Sequence, residues 1–196
     1  MRTILVGVGK VGYALAASLC AEGHEVTAID QNRRRLEILD EQLNVNTVEG
    51  NAARTDILKK ANIDHAELVI AVTEHDELNM VTAFIAKNSG AQSTIARVRN
   101  PAYSDFDNAA RMGALGLDML INPEKVTAKE IAKLISYPEA HYVGFFGNGE
   151  LLMLELKIPE KCPVLGSSFM ELKFPYPCII AAIQRGEHLL IPKGQD

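Results

Sequence analysis

The chain has 196 residues, of which 47% are hydrophobic and 23% are charged, and its formal net charge at pH 7 is −5. This composition is ordinary for a globular protein. The acidic balance without a basic tract argues against nucleic-acid binding, and no apolar run approaches the roughly 20 residues that span a bilayer. Cys20, Cys162 and Cys178 are scattered, which predicts reduced thiols in a cytosolic protein rather than a metal or redox site.

The first predicted element is a buried strand over residues 3–6, and a glycine-rich loop follows it directly. The loop, residues 7–12, has the spacing Gly-x-Gly-x-x-Gly and leads into a helix-forming stretch over residues 13–19. A second strand-like run, residues 25–29, ends at Asp30. Strand, glycine loop, helix, strand and acid in this order form the dinucleotide-binding fingerprint. The sequence therefore predicts an adenine nucleotide site, with a ligand-free glycine turn as the alternative.

Each residue of the fingerprint has a physical task. Gly7 makes the tight turn, Gly9 lets a pyrophosphate approach the backbone, and Gly12 lets the helix pack close to the sheet. The phosphates would lie on free N–H groups at the positive end of the helix dipole. Asp30 would bind the ribose hydroxyls and favour NAD over NADP, or it would cap a helix. Lys10 would be a mobile cation near the phosphates, or a solvated charge.

Strands and helices continue to alternate beyond Asp30. Four further strands are predicted, over residues 46–49, 68–72, 93–98 and 119–121. Helices are predicted from the capping residue Asn32, over residues 54–61, from the capping residue Thr73, over residues 106–112, and from Asn122-Pro123-Glu124. In the helix after Thr73 we expect an acidic first turn that contains Glu74, Asp76 and Glu77. We also expect an apolar stripe made of Met80, Phe84 and Ile85.

Six strands with intervening helices predict an α/β fold, a Rossmann-like doubly wound parallel sheet. Right-handed crossovers place the nucleotide at the carboxyl edge of the strands. We expect that edge to be lined by Asp30, Gly50, Thr73 and Arg97.

A second, smaller α+β domain is predicted from Tyr137-Pro138 onward, where the composition shifts. Short strands are expected over residues 141–146, 151–157, 178–184 and 188–191. Hairpin turns are expected at residues 147–149 and 185–187, which are rich in glycine.

The layout resembles the regulatory subunits of Trk/Ktr potassium-uptake systems, in which an RCK domain (regulator of K+ conductance) precedes a small RCK C-terminal domain. The motifs that carry the resemblance span the chain: Gly7-x-Gly9-x-Val11-Gly12, Asp30, Gly50-Asn51-Ala52, Val72-Thr73-x-x-Asp76-Glu77-x-Asn79-Met80, Ala96-Arg97-Val98-Arg99-Asn100-Pro101 and Asn122-Pro123-Glu124.

The resemblance implies an RCK N-terminal domain over residues 1–136 and an RCK C-terminal domain over residues 137–196. It also implies dimers that assemble into a tetramer or octamer ring, bind NAD(H) or ATP/ADP, and gate a membrane potassium transporter. Such a ring is cytoplasmic and peripheral to the inner face of the membrane. The family usually continues through further strands, so we expect a trimmed chain or one half of a tandem protein.

The fingerprint and the resemblance together give the candidate cofactor-binding residues Gly7, Val8, Gly9, Lys10, Val11, Gly12, Asp30, Gln31, Asn51, Ala52, Thr73 and Arg97. The resemblance places phosphates on the glycine loop, adenine near residues 31, 51 and 52, and Thr73 and Arg97 near the phosphates or the nicotinamide half. It matches Glu124 to an acid that helps to hold a cation, although an acid at a helix start is favoured by the dipole alone. Arg97 is open to a second interpretation, as a surface ion-pair partner.

Two other functions are alternatives to a nucleotide-gated regulator without catalytic residues. A small NAD-dependent oxidoreductase needs a proton donor near the nicotinamide, but the chain has no Tyr-x-x-x-Lys pair and its five histidines are dispersed. A transcriptional redox sensor needs a basic recognition helix, which the sequence does not show. For the regulator, the helix over residues 124–135 is the expected hinge. Its apolar positions, Val126, Ile131, Leu134 and Ile135, would pack against a partner subunit.

Overall fold

The structure is a computed structural model, and it describes residues 1–104, 116–168, 171–172, 174 and 176–193. The chain divides into two compact units, Met1–Ala132 and Lys133–Asp196. The helix predicted over residues 106–112 lies outside the described residues. In the part of the chain that the structure describes, no helix is long and apolar enough to cross a membrane.

The first unit is built on a six-stranded parallel sheet with the order β3-β2-β1-β4-β5-β6. Its strands are β1 (Arg2–Val6), β2 (Glu25–Asp30), β3 (Asn46–Glu49), β4 (Leu68–Ala71), β5 (Ser93–Arg97) and β6 (Met119–Ile121). This confirms the Rossmann-like doubly wound sheet. The strand order reverses between β1 and β4, and ligands of such sheets bind at that point.

Helices connect the strands, and two of the three that were predicted from a capping residue begin where that residue indicates. They are α1 (Lys10–Ala21), α2 (Arg33–Gln42), α3 (Thr55–Lys60), α4 (Asp76–Asn88), α5 (Pro101–Ser104) and α6 (Pro123–Ser136). Asn32 caps α2 by accepting the Arg35 N–H at 3.3 Å, and Asn122 accepts the Lys125 N–H at 2.9 Å in the first turn of α6. Both caps were predicted from the sequence.

The core fills both faces of the sheet. Along β1, Ile4 and Val6 belong to one buried cluster, whereas Leu5 belongs to the other. This alternation explains why β1 and β4 are continuous apolar runs in the sequence, as in parallel strands covered by helices on both sides.

The predictions for α4 were partly wrong. The helix begins at Asp76 with His75 in the N-cap position, so Thr73 is not its cap and Glu74 is outside the first turn. Its buried face consists of Asp76, Asn79, Thr82, Ala83 and Ala86. Phe84, expected in the apolar stripe, is 45% exposed, because small residues are the ones that fit closely against the sheet.

The second unit contains two antiparallel hairpins among its described residues. One pairs β7 (Ala140–Phe146) with β8 (Leu151–Leu156), and the other pairs β9 (Ile183–Arg185) with β10 (His188–Leu190). Both predicted turns are therefore present. The strand predicted over residues 178–184 is too long, because the ladder between β9 and β10 ends at the pair Ile183 and Leu190.

Candidate nucleotide-binding site

A cleft of about 910 Å³ lies at the carboxyl edge of the parallel sheet. Strands β1, β2, β3 and β5, together with the residues that directly follow β4, contribute to its wall. The lining residues are Val6, Gly7, Gly9, Lys10, Val11, Ile29, Asp30, Gln31, Asn32, Arg33, Arg34, Arg35, Glu49, Gly50, Ala52, Val72, Thr73, Glu74, His75, Leu78 and Arg97. The cleft therefore brings together the four strand-end positions that the sequence predicts.

The glycine loop forms the floor of this cleft. Gly7 adopts a φ of +95°, and a Cβ there would lie 2.8 Å from the Thr73 backbone nitrogen. A Cβ on Gly12 would lie 1.8 Å from the Gly7 carbonyl oxygen, so α1 can pack against the loop only with glycine at this position. Gly9, by contrast, has open space where its Cβ would stand. That space is on the side from which a pyrophosphate would approach.

The amino end of α1 opens into the same cleft. Its first intrahelical hydrogen bond runs from the Tyr13 N–H to the Gly9 carbonyl at 2.8 Å, and no side chain caps the helix. Among the described residues, no side chain accepts from the N–H groups of the first turn, and the helix dipole makes this end positive. The uncapped amino end of this twelve-residue helix provides a site for phosphate oxygens.

Asp30 holds the loop as well as facing the cleft. Its Oδ2 accepts the Val8 N–H at 2.6 Å, and its Oδ1 accepts the Asn32 N–H at 2.8 Å. The side chain is 10% exposed, and an Arg35 guanidinium nitrogen lies 3.9 Å from Oδ2. Each carboxylate oxygen has a further lone pair, so Asp30 can still accept a ribose hydroxyl.

Arg97 is a largely buried cation on the opposite wall. Its side chain is 16% exposed, and one terminal nitrogen lies 3.5 Å from Glu124 Oε1. Its Nε is buried without a hydrogen-bond partner among the described residues. Because Arg97 also lines the cleft, its guanidinium charge would favour an anionic ligand there.

Thr73 is held by a side chain that belongs to a motif of the family resemblance but to which the sequence assigned no role. Asn79 Oδ1 accepts both the Thr73 N–H at 2.9 Å and the Thr73 hydroxyl at 2.6 Å. Asn79 Nδ2 donates to the Thr73 carbonyl at 3.1 Å and to the Arg97 carbonyl at 2.9 Å. The sequence signal for this role is an amide on the face of a helix that otherwise buries mainly small residues.

Four predicted residues stand behind the cleft or beside it. Val8 is buried at 5% exposure and acts through its N–H to Asp30. Gly12 packs on Gly7, Asn51 accepts the Ala53 N–H at 2.9 Å in the turn after β3, and Glu124 pairs with Arg97. Within the described ranges, no group of three or more His, Cys, Asp and Glu side chains is placed to hold a metal ion.

The first unit matches a known protein family in sequence. The sequence model of the TrkA-N domain matches residues 3–123, which include all six strands of the parallel sheet except the first residue of β1, Arg2. The chain belongs to the TrkA-N domain family. The matched TrkA-N domain contains all twelve candidate cofactor-binding residues.

Curated relatives of this TrkA-N chain carry potassium-uptake names. It is 39% identical over 194 residues to the Trk system potassium uptake protein TrkA homolog of Archaeoglobus fulgidus, covering 99% of this chain and 44% of that protein. It is 34% identical over 203 residues to the Trk system potassium uptake protein trkA homolog 1 of Methanosarcina mazei, covering 100% and 49%. The chain thus spans slightly less than half of the length of these relatives.

Solved structures share the fold of the TrkA-N domain. The TrkA-N domain of the inner membrane protein ybaL from Escherichia coli superposes with a TM-score of 0.61 at 24% identity, covering 68% of this chain and 96% of that one. The GsuK channel bound to NAD gives a TM-score of 0.58 at 14% identity, covering 74% and 25%. GsuK bound to ADP gives a TM-score of 0.56 at 22% sequence identity, and the match covers 70% of this chain and 34% of that one.

Proposed function

We propose that the chain is a nucleotide-binding regulatory part of a potassium-uptake system, and that NAD(H) or ATP/ADP binding changes the activity of a membrane potassium transporter. The observation that carries this proposal is the cleft at the β1–β4 switch point, which combines open space at Gly9 with Asp30 on one wall and Arg97 on the other. The potassium-uptake names of the relatives supply the biological context.

The cleft supports an extended, diphosphate-containing ligand. The adenosine ribose would lie at Asp30, the phosphates at the amino end of α1, and the remaining part over Thr73 and Arg97. Two solved structures of the same fold are bound to NAD and to ADP, which supports both kinds of nucleotide. Asp30 favours an unmodified adenosine ribose, which NAD(H) and ATP/ADP share and NADP(H) lacks. NAD(H) is the preferred candidate because the glycine loop and Asp30 together match the dinucleotide-binding fingerprint.

A regulator must convert binding into a change of shape or contact. We propose that subunits with an RCK N-terminal domain over residues 1–136 and an RCK C-terminal domain over residues 137–196 form dimers, assembled into a tetramer or octamer. Apolar side chains on α6 support this, since Ile131, Leu134 and Ile135 are 51%, 58% and 74% exposed. Light scattering measures the subunit number. The ligand shifts the ring between two shapes only by its difference in affinity for them.

The function is tested by rubidium-86 uptake in the native host. Deletion of the gene should lower uptake at limiting external potassium. A Gly9→Ala allele should reproduce much of that loss, because its Cβ would occupy the space proposed for the pyrophosphate. A Lys59→Met allele, at an exposed position on α3, is the matched control and should transport like wild type.

Two results would contradict the proposal. Unchanged rubidium uptake after deletion would remove the link to potassium transport. Steady oxidation of NADH by the purified protein with a panel of aldehydes would instead support the alternative, a small NAD-dependent oxidoreductase.

A further inference from the structure

Asn79 is a completely buried amide at the first turn of α4, with an exposed fraction of 0%. Its side chain makes four hydrogen bonds. The Oδ1 atom accepts two from Thr73, and the Nδ2 atom donates one to the Thr73 carbonyl and one to the Arg97 carbonyl. Burying an amide is costly unless every polar atom finds a partner. Asn79 meets this condition by joining the residue that ends β5 to the segment that follows β4.

Packing alone does not account for an amide at this position. The other residues that α4 buries after its first turn are Thr82, Ala83 and Ala86, which fill the space against the sheet without linking strand ends. Thr82 provides a comparison, because its hydroxyl is buried without a hydrogen-bond partner among the described residues. Asn79 differs from Thr82 in fixing two residues that line the nucleotide cleft.

Each wall of the cleft would contact a different half of the bound nucleotide. Asp30 and Gln31 lie at the end of β2, on one side of β1, whereas Thr73 and Arg97 lie at the ends of β4 and β5, on the other side. A nucleotide that crosses the switch point has its adenosine on the β2 side. Its second half, a nicotinamide ribose or terminal phosphates, then meets the wall that Asn79 holds.

We propose that Asn79 is a positioning residue that sets the affinity for the second half of the bound nucleotide, by fixing Thr73 and Arg97 at one spacing. This rests on the proposed nucleotide-binding function. The adenosine half binds through residues that Asn79 does not touch. Loss of the Asn79 amide therefore separates the affinity for a full ligand from the affinity for adenosine monophosphate.

Asn79→Asp is the sharpest variant, because it keeps the shape of the side chain and one accepting oxygen. Its second oxygen replaces the donating Nδ2 and faces the carbonyl oxygens of Thr73 and Arg97, which repels both strand ends. Asn79→Ala is the second variant, in case the carboxylate prevents folding. Thr82→Val, on the same buried face of α4, is the matched control.

The test is calorimetric titration of the full chain with AMP, NAD and ATP, at a temperature where circular dichroism shows each variant folded. For Asn79→Asp or Asn79→Ala we expect affinity for NAD and for ATP to fall at least tenfold, while AMP stays within about twofold of wild type. Thr82→Val should bind all three like wild type. A purely structural role would not produce this split between AMP and the longer ligands.

Two outcomes overturn the inference while leaving nucleotide binding intact. Equal losses for AMP, NAD and ATP would mean that Asn79 supports the whole fold rather than one wall. Unchanged affinity for all three would mean that the hydrogen bonds from Asn79 to Thr73 and Arg97 do not affect ligand binding. A wild-type chain that binds none of the three would instead overturn the proposed function itself, together with this inference.

Discussion

Gly9 and Gly12 share one loop, yet the structure constrains them in opposite ways. Gly12 is buried, and an added Cβ would lie 1.8 Å from the Gly7 carbonyl oxygen. Gly9 has a φ of −79° and open space around its missing side chain. The fold therefore requires glycine at position 12, whereas at position 9 only a ligand would require it.

This difference predicts the stabilities of two alanine variants. Gly9→Ala should leave the free energy of unfolding within about 0.5 kcal/mol of wild type, as for an unstrained substitution with no new contact. Gly12→Ala should lose about 2 kcal/mol or more, because the backbone of α1 or of the loop must move. Urea denaturation followed by circular dichroism measures both. Equal stability of the two variants would contradict the close packing of α1 on Gly7.

Much of the site at residue scale follows from sequence spacing. The glycine spacing and the strand ends place Gly7, Asp30, Thr73 and Arg97 on one cleft. Asn79 is part of a motif that carries the family resemblance, but its role could not be predicted in this way, because that role depends on the distance between two strand ends. That distance is set by the packing of α4, and the sequence shows only a polar residue inside a helix.

At the scale of elements, α4 is tied to β5 and β6 at the edge of the sheet away from the cleft. Lys87 Nζ lies 2.8 Å and 2.9 Å from the two oxygens of Asp118 and donates to the Gln92 carbonyl at 2.6 Å. Thr94 N–H donates to the same carboxylate at 2.7 Å. The pKa of Asp118 is lowered from its usual 3.8, mainly because the carboxylate accepts a hydrogen bond from Lys87.

This link predicts a pH-dependent contribution to stability. A carboxyl whose pKa is lowered by folding stabilises the protein above its unfolded pKa, and the contribution is lost as the pH falls through the folded value. Lys87→Met should therefore cost about 0.5–1 kcal/mol at pH 7, since the pair is partly exposed. The cost should shrink below about pH 3.8, the unfolded pKa of the carboxyl.

Urea denaturation of Lys87→Met at pH 7 and pH 3 measures this difference, with Lys59→Met as the control for loss of an exposed charge. A cost that is the same at both pH values would show that Lys87 stabilises α4 by packing of its alkyl chain, and would contradict the electrostatic account.

Helix starts were predicted well where a capping side chain stands directly before the first turn. Asn32 and Asn122 are of this kind. Thr73 failed because β4 ends at Ala71 and an irregular segment precedes α4, so that the Thr73 hydroxyl donates to Asn79 instead. Local capping chemistry could not reveal this, since the competing partner lies six residues further along the chain.

At the scale of the whole molecule, the parallel sheet was predictable and the second unit was less so. The buried strands β1 and β4 are apolar runs in the sequence, and all six strands of the sheet were placed correctly to within one residue. In the second unit, β8 is exposed along its whole length and Ile179 is 92% exposed. The apolar run of β8 does pair with β7, whereas residues 178–182 lie outside the ladder between β9 and β10, so the strand predicted over residues 178–184 is too long.

The central claim is that one nucleotide lies across the cleft, on the backbone of the glycine loop. Calorimetric titration of wild type and Gly9→Ala with NAD, NADH, ATP and ADP tests it most directly. We expect one nucleotide per wild-type chain and at least tenfold weaker binding by Gly9→Ala, with the stability of the variant unchanged. Equal affinity of the two proteins, or no binding by wild type, would contradict the account.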